Sequence, residues 1–176
     1  MKILYFCPLW GSESTNFEAF VDKALQVGYD GIELPFMLEH PEQSDEKVRI
    51  LREAGMPFIG QPWLTATTDL AAHKEEFIQR LHDIARLGPL LIASQTGKDF
   101  FTFEYNLQLL RAAGDFEQET GVPIVHETHR GKFSFAARVT RQYLEAEPKL
   151  RLCADFSHWC NVSESLLEHQ EEAVAL

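Results

Sequence analysis

Apolar residues gather along the chain in six short runs rich in Ile, Val, Leu and Phe, starting near Lys2, Asp30, Pro57, Pro89, Val122 and Leu150. Each run is bounded by Gly, Pro or a charged residue, and successive starts lie about thirty residues apart, a pattern that predicts short buried strands. Between the runs the apolar positions change to a helical period, as in Phe17, Phe20, Val21 and Ala24, and again in Phe77, Ile78, Leu81, Ile84 and Ala85. Such a stripe buries one helix face only. Thr15 and Glu18 have capping-box spacing, Ser44 and Ser134 stand where helix N-caps are expected, and Gly28, Gly55, Gly88 and Gly121 fall at expected helix ends. Strand and helix therefore alternate six times. That order predicts an α/β fold with parallel strands, right-handed crossovers and covering helices.

An open doubly wound sheet and a closed (β/α)8 barrel share this alternation. The loop after the first strand, Cys7-Pro8-Leu9-Trp10-Gly11-Ser12, has neither a G-x-G-x-x-G nor a Walker pattern, which weighs mildly against the open sheet. The placement of polar residues weighs more, because barrels collect their chemistry at the carboxyl ends of several strands. The second strand ends Gly31-Ile32-Glu33-Leu34-Pro35, and the third ends at Gln61. The fifth runs into His126-Glu127-Thr128-His129-Arg130-Gly131, and the sixth into Asp155-Phe156-Ser157-His158-Trp159. The expected architecture is a partial TIM barrel of six parallel strands, forming a single domain over residues 1–176.

Glu127 and Asp155 close neighbouring strands, and a strand spacing of about 5 Å brings their carboxylates within reach of one shared cation. Unpaired buried carboxylates are costly, and a divalent ion is one arrangement that makes two adjacent ones tolerable. The Asp155-x-x-His158 step adds an imidazole, so the mixed oxygen and nitrogen donors suit Mn, Mg, Co or Zn. Glu33, Gln61, His129, Arg130 and Trp10 are the expected substrate contacts, although a lone acid at a strand end is more often a salt-bridge or capping residue. Trp63 is a second aromatic that could wall a pocket. His126 precedes the acid and by strand alternation points to the opposite face, where it is expected to be a satisfied core histidine. His40, His73, His82 and His169 are assigned to loops or helix surfaces, without a role.

Composition narrows the partners. With 16 Lys and Arg against 27 Asp and Glu, the formal charge of -11 opposes binding to nucleic acid. Cys7, Cys153 and Cys160 fit no zinc-finger spacing and suggest a reducing compartment. No secretory leader pattern follows Met1 and no apolar segment reaches the ~20 residues of a membrane span, so a cytoplasmic protein is expected.

Gly28-Tyr-Asp-Gly-Ile-Glu-Leu34, the strand-five acid Glu127 and Asp155-Phe-Ser-His158 together resemble the sugar phosphate isomerase/epimerase superfamily, the xylose-isomerase-like TIM barrels. In that family strands five to eight supply Glu, Asp, His and an acid to one divalent ion, which implies Glu127 and Asp155 as metal ligands here. The resemblance also implies that Glu127 and His158 are catalytic, acting in proton transfer next to a carbonyl of a small sugar or related hydroxycarbonyl compound. Measured against the family, strands seven and eight are not among residues 1–176. Impaired turnover and exposed sheet edges that favour a homo-oligomer are therefore expected. A non-catalytic barrel fragment that acts by association is the alternative. The apurinic-endonuclease branch shares Asp-x-x-His but must grip DNA, against the charge found here.

Overall fold

The computed structural model describes residues 2–36, 41–62, 65 and 67–176; His40 and Trp63 lie outside them. In chain order the elements are β1 (Phe6–Pro8), α1 (Phe17–Val27), β2 (Gly31–Phe36), α2 (Pro41–Glu53), β3 (Phe58–Pro62), α3 (Leu70–Ala85) and β4 (Leu91–Ser94). They continue with α4 (Phe103–Thr120), β5 (Ile124–Glu127), α5 (Ala137–Ala146), β6 (Leu152–Cys153), α6 (Phe156–Ser163) and the short α7 (Glu171–Val174). The six strands form one parallel sheet in the order β1-β2-β3-β4-β5-β6, a partial TIM barrel with the intervening helices on its outer face.

Strand alternation divides the sheet into two faces. The outer set, Ile32, Leu34, Phe36, Phe58, Ile92 and Ile124, is buried against Val21, Leu51, Phe77, Leu81, Ile84, Leu109 and Phe116 from the helices. Each such side chain removed from water contributes about 1.5–3 kcal/mol, which makes this layer the main source of cohesion. The inner set begins with Glu33, which registers with Pro8 on one side and Ile59 on the other. It continues with Pro35 opposite Gln61, and Glu127 opposite Cys153. Register thus carries the polar groups to one end of one face.

Several local expectations are corrected. The N-cap of α1 is Asn16 rather than Thr15: its side-chain carbonyl accepts from the Ala19 N–H at 3.0 Å, satisfying an otherwise free first-turn donor. Ser44 lies inside α2, which starts at Pro41, a residue whose fixed φ and missing N–H suit a first helical position. Ser134 does not cap α5, whose N-cap is Ala136 without a side-chain bond; its hydroxyl serves the preceding loop instead. His73 is buried at the start of α3, with Nδ1 2.8 Å from the Thr67 carbonyl, rather than on a surface. The first strand pairs only from Phe6, and Ile3 and Tyr5 are 60% and 62% exposed. Among the described residues, β1 and β6 each pair on one side only. No described helix is long and apolar enough to cross a membrane.

Candidate active site

At the carboxyl end of the inner face, β5 delivers Glu127 and the loop after it delivers His129, while Asp155 lies two residues past the end of β6 and His158 in the first turn of α6. Nε2 of His158 stands 3.7 Å from Glu127 Oε1 and 3.7 Å from Asp155 Oδ2, so the two carboxylates face a common point. The imidazole of His129 packs over that of His158 with centroids 3.8 Å apart. One donor atom from each of Glu127, His129 and His158 lies within 4.8 Å of the others. Bonds of about 2.1 Å to one ion would set such donors about 3.4 Å apart, so binding would draw the group together by up to about 1.4 Å. Asp155 is outside this tightest group and partly engaged elsewhere, its Oδ1 accepting from the Ser157 N–H at 2.8 Å as the N-cap of α6.

Hydrogen bonding fixes how the donors are presented. Nδ1 of His129 is 2.5 Å from the Arg130 carbonyl, which can only accept, so Nδ1 carries the proton and the Nε2 lone pair remains free. Gln95 donates to Glu127 Oε2 at 3.1 Å. Thr128 joins the two strand ends: its hydroxyl accepts from the Asp155 N–H at 2.7 Å and lies 2.9 Å from the Asp155 carbonyl. Ser134 Oγ donates to the Glu127 carbonyl at 2.5 Å, and Trp159 Nε1 donates to the Ser134 carbonyl at 2.8 Å. Thr128→Val removes the cross-strand bonds and is expected to cost about 1–2 kcal/mol. A lower urea midpoint and faster exchange of the Asp155 amide check this.

Electrostatics separate the carboxylates. Burial raises the pKa of Glu127, opposed by the Gln95 bond and the His158 imidazole. Burial also raises Glu33, and the neighbouring Glu127 charge adds to the effect. Burial acts in the same direction on Asp155, but the Ser157 hydrogen bonds and the His158 charge outweigh it and leave this acid below its ordinary value. The pKa of His158 is lowered, first by burial and then by His129, against the pull of both carboxylates. Imidazoles whose pKa is lowered offer lone pairs more readily, and with the two carboxylates they form a donor set that suits a cation. The Cys153 thiol, pushed up to about 11 by burial and then by Glu127, stays protonated.

On the β2–β3 side, Gln61 donates to Glu33 at 2.8 Å and Trp10 Nε1 donates to Gln61 at 3.2 Å, forming one chain of polar contacts. Arg130 is exposed at the lip, and its charge lowers the pKa of both His129 and His158. His126 is buried on the other face, 2.8 Å from Thr96 Oγ1 and pushed down to about 3 by burial. Because a raised carboxylate binds its proton more readily folded than unfolded, Glu33 lowers stability as pH rises from its unfolded value through its folded one. Glu33→Gln keeps an acceptor for Gln61, so the variant is expected to melt higher than the parent at neutral pH, with the difference vanishing below the carboxylate range.

Two site residues escaped the sequence reading. Gln95 lies just past β4, two residues from Ala93, and parity along that run places it beside Glu127. Lys132, in the loop after β5, is 2% exposed, and its Nζ has no hydrogen-bond partner among the described residues.

No protein-family model matches the chain, and no curated protein matches it in sequence. Solved structures do match in fold. A D-allulose 3-epimerase from Methylomonas sp., in complex with D-allulose, superposes with a TM-score of 0.68 at 19% identity, over 93% of this chain and 65% of its own. The probable 3-DHS dehydratase AsbF from Bacillus anthracis, involved in petrobactin synthesis, gives 0.64 at 16% identity, over 98% of this chain and 70% of its own. A D-psicose 3-epimerase from Clostridium cellulolyticum, solved with D-tagatose, gives 0.66 at 13%, over 90% and 65%. The chain shares with these structures a TIM-barrel fold, of which it forms six strands. It spans 65% of each epimerase and 70% of the dehydratase.

Proposed function

We propose that this chain carries the cation-binding part of a metal-dependent isomerase or epimerase that moves a proton next to a carbonyl of a small sugar or related hydroxycarbonyl compound. The reading rests on one observation: Glu127, His129 and His158 converge at the mouth of a parallel half-barrel, with Asp155 facing the same imidazole. A bound Mn, Mg, Co or Zn ion would supply polarisation of substrate oxygens and stabilisation of an enediolate. Glu127, its pKa raised by burial, would be a stronger base for proton transfer at carbon than an ordinary carboxylate. His158 would hold or hand on a proton at a substrate oxygen, while the Trp10–Gln61–Glu33 chain and Arg130 would orient the hydroxyl groups. Fold neighbours that handle D-allulose, D-tagatose or a dehydratase substrate support the substrate class.

Calorimetric titration with manganese, followed by incubation with a ketohexose in D2O, tests this. Saturable uptake and metal-dependent deuterium incorporation at the carbon next to the carbonyl are expected, and absence of both overturns the proposal.

Association is a second reading, favoured by the exposed Ile3 and Tyr5 before β1 and by the unpaired outer edges of β1 and β6. On this view a second copy covers the edges, with or without catalysis. Light scattering that gives a stable dimer or larger species supports it, whereas a monomer across the micromolar range removes it.

A further inference from the structure

The β4–α4 and β5–α5 loops are stitched together above the sheet. The Asp99 N–H donates to the Gly131 carbonyl at 3.3 Å, and the Phe133 N–H to the Thr96 carbonyl at 3.3 Å. Asn106 grips the first loop through its side chain, accepting from the Lys98 N–H at 3.1 Å and donating to the Lys98 carbonyl at 2.8 Å. Gly97, at φ +65°, allows this grip, because a Cβ there would fall on the Asn106 side chain. The stitching brings Lys98 beside Lys132, whose own charge reaches Glu127 and His129 at the rim. Lys98 is half-buried, and Lys132 is almost wholly enclosed.

A buried ammonium normally has an acceptor, because burial without one costs the full hydration of the charge. Nζ of Lys132 has none among the described residues. Asp99 and Glu127 act on it through their charges only, and Lys98 opposes them. Two like charges held together in a chain of net charge -11 are not explained by packing.

We propose that Lys132, with Lys98 beside it, forms an anion subsite next to the proposed cation site and receives a phosphate or carboxylate group carried by the hydroxycarbonyl substrate. The inference takes the proposed function as its setting and narrows the substrate from a neutral sugar to an anionic one. Its geometry supplies a reason for the enclosure. The lysine side chain, with four rotatable bonds, can swing toward the mouth and exchange an unpartnered site for a charge-assisted hydrogen bond. The pKa of Lys132, lowered to about 8 by burial and then by Lys98, is what the lack of an acceptor would produce, and an arriving anion would reverse it.

The test is titration of the metal-free protein with inorganic phosphate, and separately with acetate, at constant ionic strength. One saturable site is expected. Lys132→Met is expected to weaken it about 10-fold or more, while Lys132→Arg keeps it within about 3-fold of the parent. Lys98→Met, at a half-exposed position, should weaken it by a smaller factor and covers the case in which Lys132→Met fails to fold. Tighter phosphate assigns a phosphoryl group to the substrate, and tighter acetate a carboxylate. No saturable anion binding by the parent, or equal affinity in the parent and Lys98→Met, overturns the proposal. Manganese is left out, so failure of the cation site leaves this result readable on its own.

Discussion

Glu127→Gln is expected to abolish saturable manganese binding, weakening it by more than about 100-fold, a loss larger than removal of an outer-shell partner produces. The glutamine occupies the same space and can still meet Gln95, so the change is one of charge and donor quality rather than of packing. Glu127 is the carboxylate of the tightest donor group, whereas Asp155 stands at its margin and already caps α6. Asp155→Ala is therefore expected to weaken binding as well, and by a smaller factor. The stability of the metal-free variant should move the other way. Burial raises the pKa of Glu127, so its ionisation opposes folding as pH climbs from the unfolded value through the folded one, and the glutamine removes that penalty. A variant that binds no manganese yet melts at or above the parent at neutral pH separates loss of the ligand from loss of the fold. Full manganese content in Glu127→Gln would show that the cation assignment is wrong.

Phe133→Ala is expected to cost about 3–5 kcal/mol, the largest single stability effect foreseen at the site. The ring is 1% exposed and stands edge-on to both His126 and Tyr143, with centroids 5.8 and 5.0 Å away. It anchors a small second cluster with Leu107, Leu110 and Tyr143, set apart from the main layer beneath the sheet. Its neighbours come from three different elements, so they cannot collapse together to fill the space. Equilibrium urea unfolding measures the loss. Since Phe133 lies between Lys132 and Ser134, a second effect is expected: weaker manganese binding, because the loop that presents His129 loses its anchor.

The strand order and the two faces of the sheet were legible because parallel strands under helices leave a strong signature, a short apolar run such as Pro89–Ala93 flanked by helical stripes. The placement of Glu33, Glu127, Asp155 and His158 at strand ends was legible for the opposite reason, since they are polar residues that interrupt or follow such runs. Lys132 was not. A lysine after His-Arg-Gly looks like any solvated loop residue, and only the stitching of two loops encloses it. Gln95 was missed because β4 pairs for only four residues, too few for alternation to point past its end. The helix starts were misplaced because only α1 is capped by a side chain of the expected kind, Asn16 taking the place of Thr15, whereas α2 starts at Pro41 and α5 follows Ala136 without a side-chain cap.

Each strand from β2 to β6 pairs with the one that precedes it in the chain. The partner of each new strand is therefore always the segment most recently formed, separated by a single helix, and the loop-closure entropy of adding a unit stays small and nearly constant from β2 to β6. A chain built this way can assemble in the order in which it leaves the ribosome, each unit docking on the last. The rim groups of β5 and β6 are accordingly brought together after those of β2 and β3.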